Sequence, residues 1–208
     1  MPVNLSVQAD VIDIRNDTPQ QDDIFLVDTN VWFWQTYSNA SVSHPTAPAK
    51  ISEYSSYLSS ALSQGSTLTY LGLILAELAH IIEKTEREIY IQANGFIRPK
   101  EYRHNLPAER LNVVSQVRSA WTQVEAIAVP VRLTIDDDTT SAALARFQTQ
   151  ALDGYDLLIL EAISKAGSGQ VRIITDDMDY AIVPGIQVFT SNSFVIQQAN
   201  AQNKLLVR

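Results

Sequence analysis

Several acidic side chains occupy places where a buried strand or helix would not normally carry a charge. Asp28 directly follows the apolar run IFLV, and Glu77 lies within the apolar stretch LILAELAHII. Asp156 opens the apolar segment DLLILEAI. Three further acids follow the strand-like run VRIIT, namely Asp176, Asp177 and Asp179. Because a buried carboxylate needs a partner, the chemistry of this chain is expected at these positions.

Each acid also has an ordinary structural explanation when it is considered alone. Glu77 is spaced to line up with His80 and Lys84 in one solvated stripe of an otherwise apolar helix. Asp156 would complement the positive end of a helix dipole, and Asp153 would be the N-cap of the same helix. Aspartates that follow a strand commonly form turns. Considered singly, therefore, none of these acids distinguishes a structural role from a functional one.

Taken together, the acids can converge on one place, because strand ends and helix starts meet at one edge of a sheet. Unit charges about 4 Å apart repel by ~4 kcal/mol at an effective dielectric of 20, so such a cluster needs a cation. Mg²⁺ and Mn²⁺ prefer oxygen ligands of this kind. The chain has no Cys and only three His, which makes zinc the poorer choice. The acids therefore predict a Mg²⁺ or Mn²⁺ site built from carboxylates.

The elements that must position these acids alternate between strands and helices. Short apolar runs predict strands at IFLV, TLTYL, VPVRLT, VRIIT and IQVFT, and helical periodicity fills most of the segments between them. This alternation predicts an α/β fold with a parallel sheet and helices on both faces. Such sheets bind ligands outside the carboxyl ends of the strands, where the strand order reverses. Asp28 and the acids after VRIIT would lie at that edge.

We expect one main domain with an extension at each end. Residues 1–22 are polar and are predicted to lie outside the domain, partly disordered or packed along an edge. Residues 23–190 form the domain, and residues 191–208 form a C-terminal helix or tail. Within the domain, LILAELAHIIEK is predicted to be a helix buried on nearly every side, and Asp138 is predicted to cap the helix TTSAALARFQ.

No part of the sequence has the pattern of a membrane span or a signal peptide. No apolar run approaches ~18 residues, and the first residues lack a basic start followed by an apolar core. The sequence predicts a soluble, cytoplasmic protein.

The charge of the chain is acidic overall but uneven. The formal net charge of −8 argues against a general attraction to nucleic acid or anionic lipid. Residues 84–118, however, hold seven basic and four acidic residues, and we predict that this segment is a basic helical insertion. Arg98, Lys100 and Arg103 stand there close to Phe96 and Tyr102. The composition fits a nucleic-acid-binding surface or an ordinary solvated hairpin.

The order of these motifs resembles that of the PIN-domain ribonucleases. The matching motifs are Asp-Thr-Asn after the first buried strand, a Glu inside an apolar helix, an Asp opening a late helix, and Thr-x-Asp-x-Asp-aromatic after a strand. The trailing PGIQVF resembles the last short strand of the family, and the likeness spans roughly residues 24–190. The resemblance implies a three-layer α/β/α sandwich and Mg²⁺- or Mn²⁺-dependent hydrolysis of RNA phosphodiester bonds.

The resemblance also implies a role for each matching residue. Asn30 would orient the first ligand and Thr175 would support the site by hydrogen bonding. Asp179 would add a further metal ligand. Side chains alternate along an extended VRIITDD, so Asp177 shares a face with Thr175, while Asp176 points to the opposite face. Asp176 is therefore expected to be a neighbour of the metal ligands and not a ligand itself. The catalytic, metal-binding acids implied in this way are Asp28, Glu77, Asp156 and Asp177.

RNA is the implied substrate, and Arg98, Lys100 and Arg103 are the residues that we expect to hold its phosphates. The family includes toxins that pair with a protein antitoxin, and dimers are frequent in it, so an antitoxin partner and a homodimer belong to the expectation. The alternative is a catalytically silent PIN-like module that binds RNA or a protein. A nucleotide-binding fold is poorly supported, because neither G-x-G-x-x-G nor G-x-x-x-x-G-K-[ST] occurs.

Overall fold

One parallel sheet organises the chain in the computed structural model, which describes residues 3–132, 134–166 and 170–208. Every strand pair formed by the described residues is parallel, and the strand order is β4-β3-β2-β5-β6-β1-β7. The predicted α/β fold is confirmed. The strands are β1 (Asp10–Asp13), β2 (Ile24–Val27), β3 (Thr67–Leu71), β4 (Val129–Val131), β5 (Val171–Ile174), β6 (Ile186–Thr190) and β7 (Leu205–Leu206).

Helices connect the strands and cover both faces of the sheet. From β2 the chain steps through β3 to β4 in one direction, and from β4 it returns through β5 and β6 in the other. Because crossovers between parallel strands are right-handed, the two directions place their helices on opposite faces, which gives three layers. The helices are α1 (Thr29–Thr36), α2 (Ala47–Ser63), α3 (Leu73–Asn94), α4 (Pro99–Asn105), α5 (Pro107–Ile127), α6 (Asp137–Phe147), α7 (Gly154–Ala166) and α8 (Ser193–Ala201).

The strand order reverses between β2 and β5, which lie side by side at the centre of the sheet. Leu26 pairs with Ile173, and Val27 pairs with Ile174. The next residues along each strand are Asp28 and Thr175, so the two segments leave the sheet together at its carboxyl edge. This edge is the place where ligands bind in open parallel sheets.

The apolar run IFLV forms β2 and is buried on both faces of the sheet from its second residue onward. Phe25, Leu26 and Val27 are at most 4% exposed, whereas Ile24 at the amino end is 61% exposed. Phe25 meets Phe189 of β6 edge to face at a centroid distance of 4.9 Å. A strand held this tightly fixes the position of the residue that follows it, Asp28.

The predicted extension of residues 1–22 is corrected within the described residues: part of it belongs to the sheet instead of lying outside the domain or only along its edge. Residues 10–13 form β1, which pairs with β6 on one side and β7 on the other. The sequence DVID looks polar, but its two central residues are fully covered because α8 also packs against β1. Six apolar residues of this segment are at most 5% exposed, whereas Val3 is 55% exposed; the six are Leu5, Val7, Ala9, Val11, Ile12 and Ile14. The C-terminal segment likewise joins the sheet through β7, beyond the helix α8.

The helix of LILAELAHIIEK is only half buried, and its predicted burial on nearly every side is corrected. Ile74, Leu78 and Ile82 are inaccessible, but Leu75 is 37% exposed. The helix is also longer than predicted, since α3 continues to Asn94 and ends at Gly95, whose φ of +86° suits glycine. One face of α3 packs inward, and the other lines an open groove.

Residues 84–118 form the second half of α3, all of α4 and the first half of α5. These helices pack against one another, and α3 and α5 also pack against α1, so the segment is continuous with the helical layer and is no separate insertion. The N-cap of α6 is Asp136 instead of the predicted Asp138, because the Asp136 carboxylate accepts the Thr139 N–H at 2.8 Å.

The strand predicted at VPVRLT ends at Val131, and residue 133 lies outside the described residues. In the described part of the chain, no helix is long and apolar enough to cross a membrane.

Candidate functional site

Asp28 is the best-anchored acid at the carboxyl edge of the sheet. Its side chain is N-cap of α1 and accepts the Thr29 N–H at 2.7 Å on Oδ1. On Oδ2 it accepts hydrogen bonds from Asn30 Nδ2 at 2.7 Å and from Thr175 Oγ1 at 2.6 Å. The residue is 6% exposed. Asn30 and Thr175 therefore hold Asp28 from the two segments that flank the reversal.

Glu77 reaches the same place from α3. Its Oε2 accepts a hydrogen bond from Thr29 Oγ1 at 2.5 Å, while Thr29 donates its own N–H to Asp28. Thr29 thus links two of the predicted acids through one residue. This role of Thr29 was not predicted from the sequence. The signal that could have pointed to it is the hydroxyl of Thr29 directly after Asp28 in the Asp-Thr-Asn motif.

Asp156 lies in the first turn of α7 and is 6% exposed. Tyr180, which is inaccessible to solvent, donates its hydroxyl to Asp156 Oδ1 at 2.5 Å. Asp153 accepts the N–H groups of Tyr155 at 2.9 Å and Asp156 at 3.1 Å, which is the geometry of an N-cap. The sequence motif included Tyr180 only as an aromatic residue, and its hydrogen bond to Asp156 was not foreseen.

The loop after β5 carries further acids, and these acids have different hydrogen-bond partners. Asp177 donates its N–H to Thr175 Oγ1 at 2.9 Å, and its Oδ1 accepts the Asp179 N–H at 2.9 Å. Asp176 instead binds Lys50 Nζ at 2.7 Å and the Tyr54 hydroxyl at 2.8 Å. Thus Asp176 already has a cationic partner within the protein, and Asp177 does not have one among the described residues.

The acids that were predicted from four separate elements raise one another's pKa. Burial is the largest cause in each case; it raises the pKa of Asp28 to about 7 and that of Asp156 to about 8, against the hydrogen bonds from Thr175 and Tyr180. The negative charges of Glu77 and Asp177 raise the pKa of Asp28 further, and the charge of Asp28 does the same at Asp156. Burial also raises the pKa of Glu77 and of Asp177. A cluster in this state favours binding of a proton or a cation.

Asp153 belongs to the same electrostatic cluster, which the sequence did not reveal. Its charge raises the pKa of Glu77, Asp156, Asp177 and Asp179. The sequence predicted the N-cap hydrogen bonds of Asp153 correctly, but it did not predict that other acids lie near this side chain. Asp179 joins the cluster too, since burial and then the charge of Asp177 raise its pKa.

The carboxylate oxygens of the acidic cluster have the chemistry that a hard divalent cation requires. Every group in the cluster offers oxygen, the ligand atom that Mg²⁺ and Mn²⁺ prefer. No described residue donates a hydrogen bond to Glu77 Oε1 or Asp156 Oδ2, so both atoms keep their lone pairs. Across residues 3–132, 134–166 and 170–208, no three carboxylate or imidazole side chains are arranged as a ready-made metal site. Thr29 and Tyr180 each donate a hydrogen bond to the other carboxylate oxygen, of Glu77 and Asp156 respectively.

A groove of about 890 Å³ begins beside the acids and runs between α3 and α5. Both helices contribute apolar side chains to its lining. Its charged residues include Glu77 and Asp153 of the acidic cluster, Glu83 and three arginines. The lining residues are Leu75, Ala76, Glu77, Ala79, His80, Ile81, Glu83, Arg103, Arg110, Val113, Val114, Val117, Arg118, Trp121, Asp153 and Tyr155.

The three basic residues predicted to bind RNA differ in their surroundings. Arg103 lines the groove, but it is engaged by Glu83, with Nη2 at 2.5 Å from Oε1. Arg98 and Lys100 are exposed on or next to α4 and are not among the residues that line the groove. Arg118 lines the groove, and no described carboxylate pairs with it; nothing in the sequence distinguished it from the other basic residues.

Comparison with known proteins gives little guidance on function. No family model and no curated protein matches the chain. Among solved structures, the crystal structure of VapBC2 from Rickettsia felis bound to a DNA fragment from their promoter is similar, with 13% sequence identity and a TM-score of 0.44. The match covers 80% of this chain and 98% of that chain.

Proposed function

We propose that this chain is a PIN-type endoribonuclease that hydrolyses RNA phosphodiester bonds with the help of Mg²⁺ or Mn²⁺. The observation that supports the proposal is a set of shared contacts beside the reversal of strand order: Thr29 hydrogen-bonds to both Asp28 and Glu77, and Thr175 hydrogen-bonds to both Asp28 and Asp177. The charge of Asp28 also raises the pKa of Asp156. Four acids of which two are buried and two are half-buried are costly to the fold, and a resident cation is the simplest reason to keep them. The motif order of the PIN ribonucleases supports the same conclusion.

The same four carboxylates would hold the metal, with Asp179 adding a ligand at the rim. Bound there, a divalent ion supplies an activated water and stabilises the charge that develops on the phosphate. The protein's own groups fix the ligands: Asn30 and Thr175 orient Asp28, and Tyr180 orients Asp156.

The groove beside Glu77 would hold the RNA strand. An acidic site repels phosphates, so substrate binding requires positive charge close by. Arg118 and Arg110 supply that charge along the groove, and Trp121 and Tyr155 supply aromatic surface on which bases can stack. Since Glu83 already engages Arg110 and Arg103, Arg118 has the most charge to offer.

Arg118→Ala is expected to weaken RNA binding and to lower the slope of log affinity against log salt by about 1, the effect of losing one phosphate contact. Arg98→Ala is the matched control, because Arg98 is exposed but does not line the groove. Fluorescence anisotropy with labelled single-stranded RNA over a range of salt concentrations measures both slopes. If an Arg98→Ala, Lys100→Ala double variant loses slope and Arg118→Ala does not, RNA lies over α4, as the sequence predicted for Arg98, Lys100 and Arg103.

Cleavage of single-stranded RNA tests the proposal itself. The wild type is expected to cut RNA with Mn²⁺ and to stop when chelator is added. Asp156→Asn should slow cleavage by more than the ~10–100-fold that loss of a supporting residue causes at metal sites. Asp22→Asn, which changes an exposed acid that belongs to none of the motifs, should cut like the wild type. Cleavage that survives both the chelator and Asp156→Asn contradicts a metal-dependent nuclease.

A catalytically silent module that binds RNA or protein is the second candidate. One observation favours it: the described carboxylates do not form a ready-made metal site. RNA binding without cleavage of any of several RNAs in Mn²⁺ would support this candidate over the enzyme. The toxin of a toxin–antitoxin pair is the proposed biological setting, on the family resemblance alone, and a small gene adjoining this one would support it. A homodimer is proposed on the same ground.

A further inference from the structure

Helix α2 reaches the loop after β5 through Lys50 and Tyr54, two residues that the sequence did not single out. Lys50 Nζ contacts Asp176 Oδ1 at 2.7 Å, the Ser191 carbonyl at 3.1 Å and Ser191 Oγ at 3.3 Å. These contacts use the three protons of the ammonium group. The side chains of Lys50 and Asp176 are 18% and 19% exposed, so the ion pair is largely shielded from water.

Tyr54 strengthens the same connection one turn along α2. Its hydroxyl lies 2.8 Å from Asp176 Oδ1 and 3.0 Å from the Thr175 carbonyl, and it accepts the Ser191 N–H at 3.1 Å. The residue is 1% exposed. Lys50 and Tyr54 therefore join the ends of β5 and β6 to one helix.

The peptide groups that follow β5 are held by side chains from several elements. The Asp176 N–H is 3.3 Å from Asn30 Oδ1, and the Asp176 carbonyl accepts Asn192 Nδ2 at 2.8 Å. The next residue, Asp177, donates its N–H to Thr175 Oγ1, which in turn donates to Asp28. Asp176 thus lies between Thr175 and Asp177 in the chain, and the contacts of these two residues lead to Asp28.

We infer that Lys50 is a positioning residue, which acts through Asp176 to hold Asp177 and Thr175 in place for cation binding. This inference rests on the proposed function, because it assigns a supporting role at the same site. The inference also assigns a role to Asp176, which links the loop after β5 to α2, while Asp177 is the proposed metal ligand.

The direction in which one substitution changes Mn²⁺ affinity distinguishes a positioning role from a simple electrostatic effect. Lys50→Met removes a positive charge near a cation site, so Coulomb's law alone predicts tighter Mn²⁺ binding. Loss of positioning predicts weaker binding, by ~10–100-fold, as found when residues that orient metal ligands are removed. Lys84→Met is the matched control, since Lys84 is an exposed lysine on α3 and does not line the groove.

Mn²⁺ titration of the full chain, with thermal unfolding of each variant, provides the test. Lys50→Met is expected to weaken Mn²⁺ binding, Lys50→Arg to restore part of it, and Lys84→Met to leave it unchanged. In an Asp176→Asn background, Lys50→Met should have little further effect, because the two residues act as one unit. Unchanged or tighter Mn²⁺ binding by a folded Lys50→Met variant overturns the inference while the proposed function stands.

Amide hydrogen exchange supplies a second readout that needs no metal. If Lys50 positions the loop, the Asp177 amide should exchange at least about tenfold faster in Lys50→Met, with core amides unaffected. A wild type that binds no Mn²⁺ refutes the metal site of the proposed function, and the exchange rate then decides the positioning role by itself. An unchanged Asp177 exchange rate in that case overturns the positioning role as well.

Discussion

Replacing Asp156 with Asn is expected to raise the thermal stability of the metal-free protein near pH 8 and to remove the stabilisation that Mn²⁺ gives the wild type. Burial, together with the charge of Asp28, raises the pKa of Asp156 to about 8. Holding this carboxylate ionised in the fold therefore costs free energy, because a difference of one in pKa between the folded and unfolded states corresponds to ~1.4 kcal/mol. Asparagine removes the charge and still accepts the Tyr180 hydrogen bond through its carbonyl oxygen.

The penalty at Asp156 also sets the direction of the pH dependence. A carboxyl whose folded pKa is raised costs nothing below its unfolded pKa of 3.8, and the cost grows until the pH passes about 8. Without metal, the wild type should lose stability between those limits relative to Asp156→Asn. Mn²⁺ offsets the same charge, so its stabilising effect should increase with pH in the wild type.

Differential scanning calorimetry at about pH 5 and about pH 8, with Mn²⁺ and with chelator, measures these effects. Asp22→Asn is the control, because Asp22 is exposed and should behave as the wild type does. A lower melting temperature for Asp156→Asn than for the wild type in chelator near pH 8 would show that the carboxylate is stabilised within the protein and needs no cation.

Arg208→Ala is expected to destabilise the fold by about 3–5 kcal/mol, since it leaves the buried carboxylate of Asp17 without its ion-pair partner and that of Asp23 with Arg172 alone. The guanidinium binds Asp17 Oδ2 at 2.8 Å and Asp23 Oδ2 at 3.0 Å, and these acids have side chains 1% and 3% exposed. It also lies 4.6 Å from the Phe189 ring centroid. Arg208 thus ties the C-terminal segment to the residue that precedes β2.

The pH dependence of this clamp has the opposite sign to that of Asp156. Burial alone would raise the pKa of Asp23, but hydrogen bonds from Arg208 and other groups hold it below its usual value. The stabilisation is therefore present above pH 3.8 and is lost as pH falls through the folded pKa. The difference between wild type and Arg208→Ala should shrink in acid.

Urea unfolding of Arg208→Ala beside Arg15→Ala measures the clamp against a matched ion pair. Arg15 pairs with Asp13 at 2.8 Å, but its side chain is 41% exposed, so its loss should cost at most ~1 kcal/mol. Equal destabilisation by the two variants would contradict a special role for Arg208.

The strands and helices that carry the acids were predictable because their signals are local. IFLV and VRIIT are continuous apolar runs of the kind buried in parallel sheets, and the position of Asp28 follows directly from the first of them. The reversal of strand order was expected for this class of fold, and it puts Asp28 beside the loop after β5.

The contacts that complete the site were not predictable, since they join residues far apart in sequence. Lys50 and Asp176 are separated by 126 positions, and nothing in the sequence pointed to Lys50 as the partner of Asp176. The strand β1 escaped notice because DVID has charged ends and its partners, β6 and β7, lie at the other end of the chain. The choice of Asp177 over Asp176 as metal ligand stays a prediction, although the structure gives Asp176 another partner, Lys50.

Direct measurement of Mn²⁺ binding by electron paramagnetic resonance tests the central claim, that these acids form one cation site. Free Mn²⁺ gives a sharp six-line signal, which weakens as the ion is bound. The wild type and Asp22→Asn are expected to remove Mn²⁺ from solution to the same extent near pH 8, and Asp156→Asn to lose most of that binding. Equal binding by Asp156→Asn and the wild type, or no binding by either, would contradict a metal centre at Asp28, Glu77, Asp156 and Asp177.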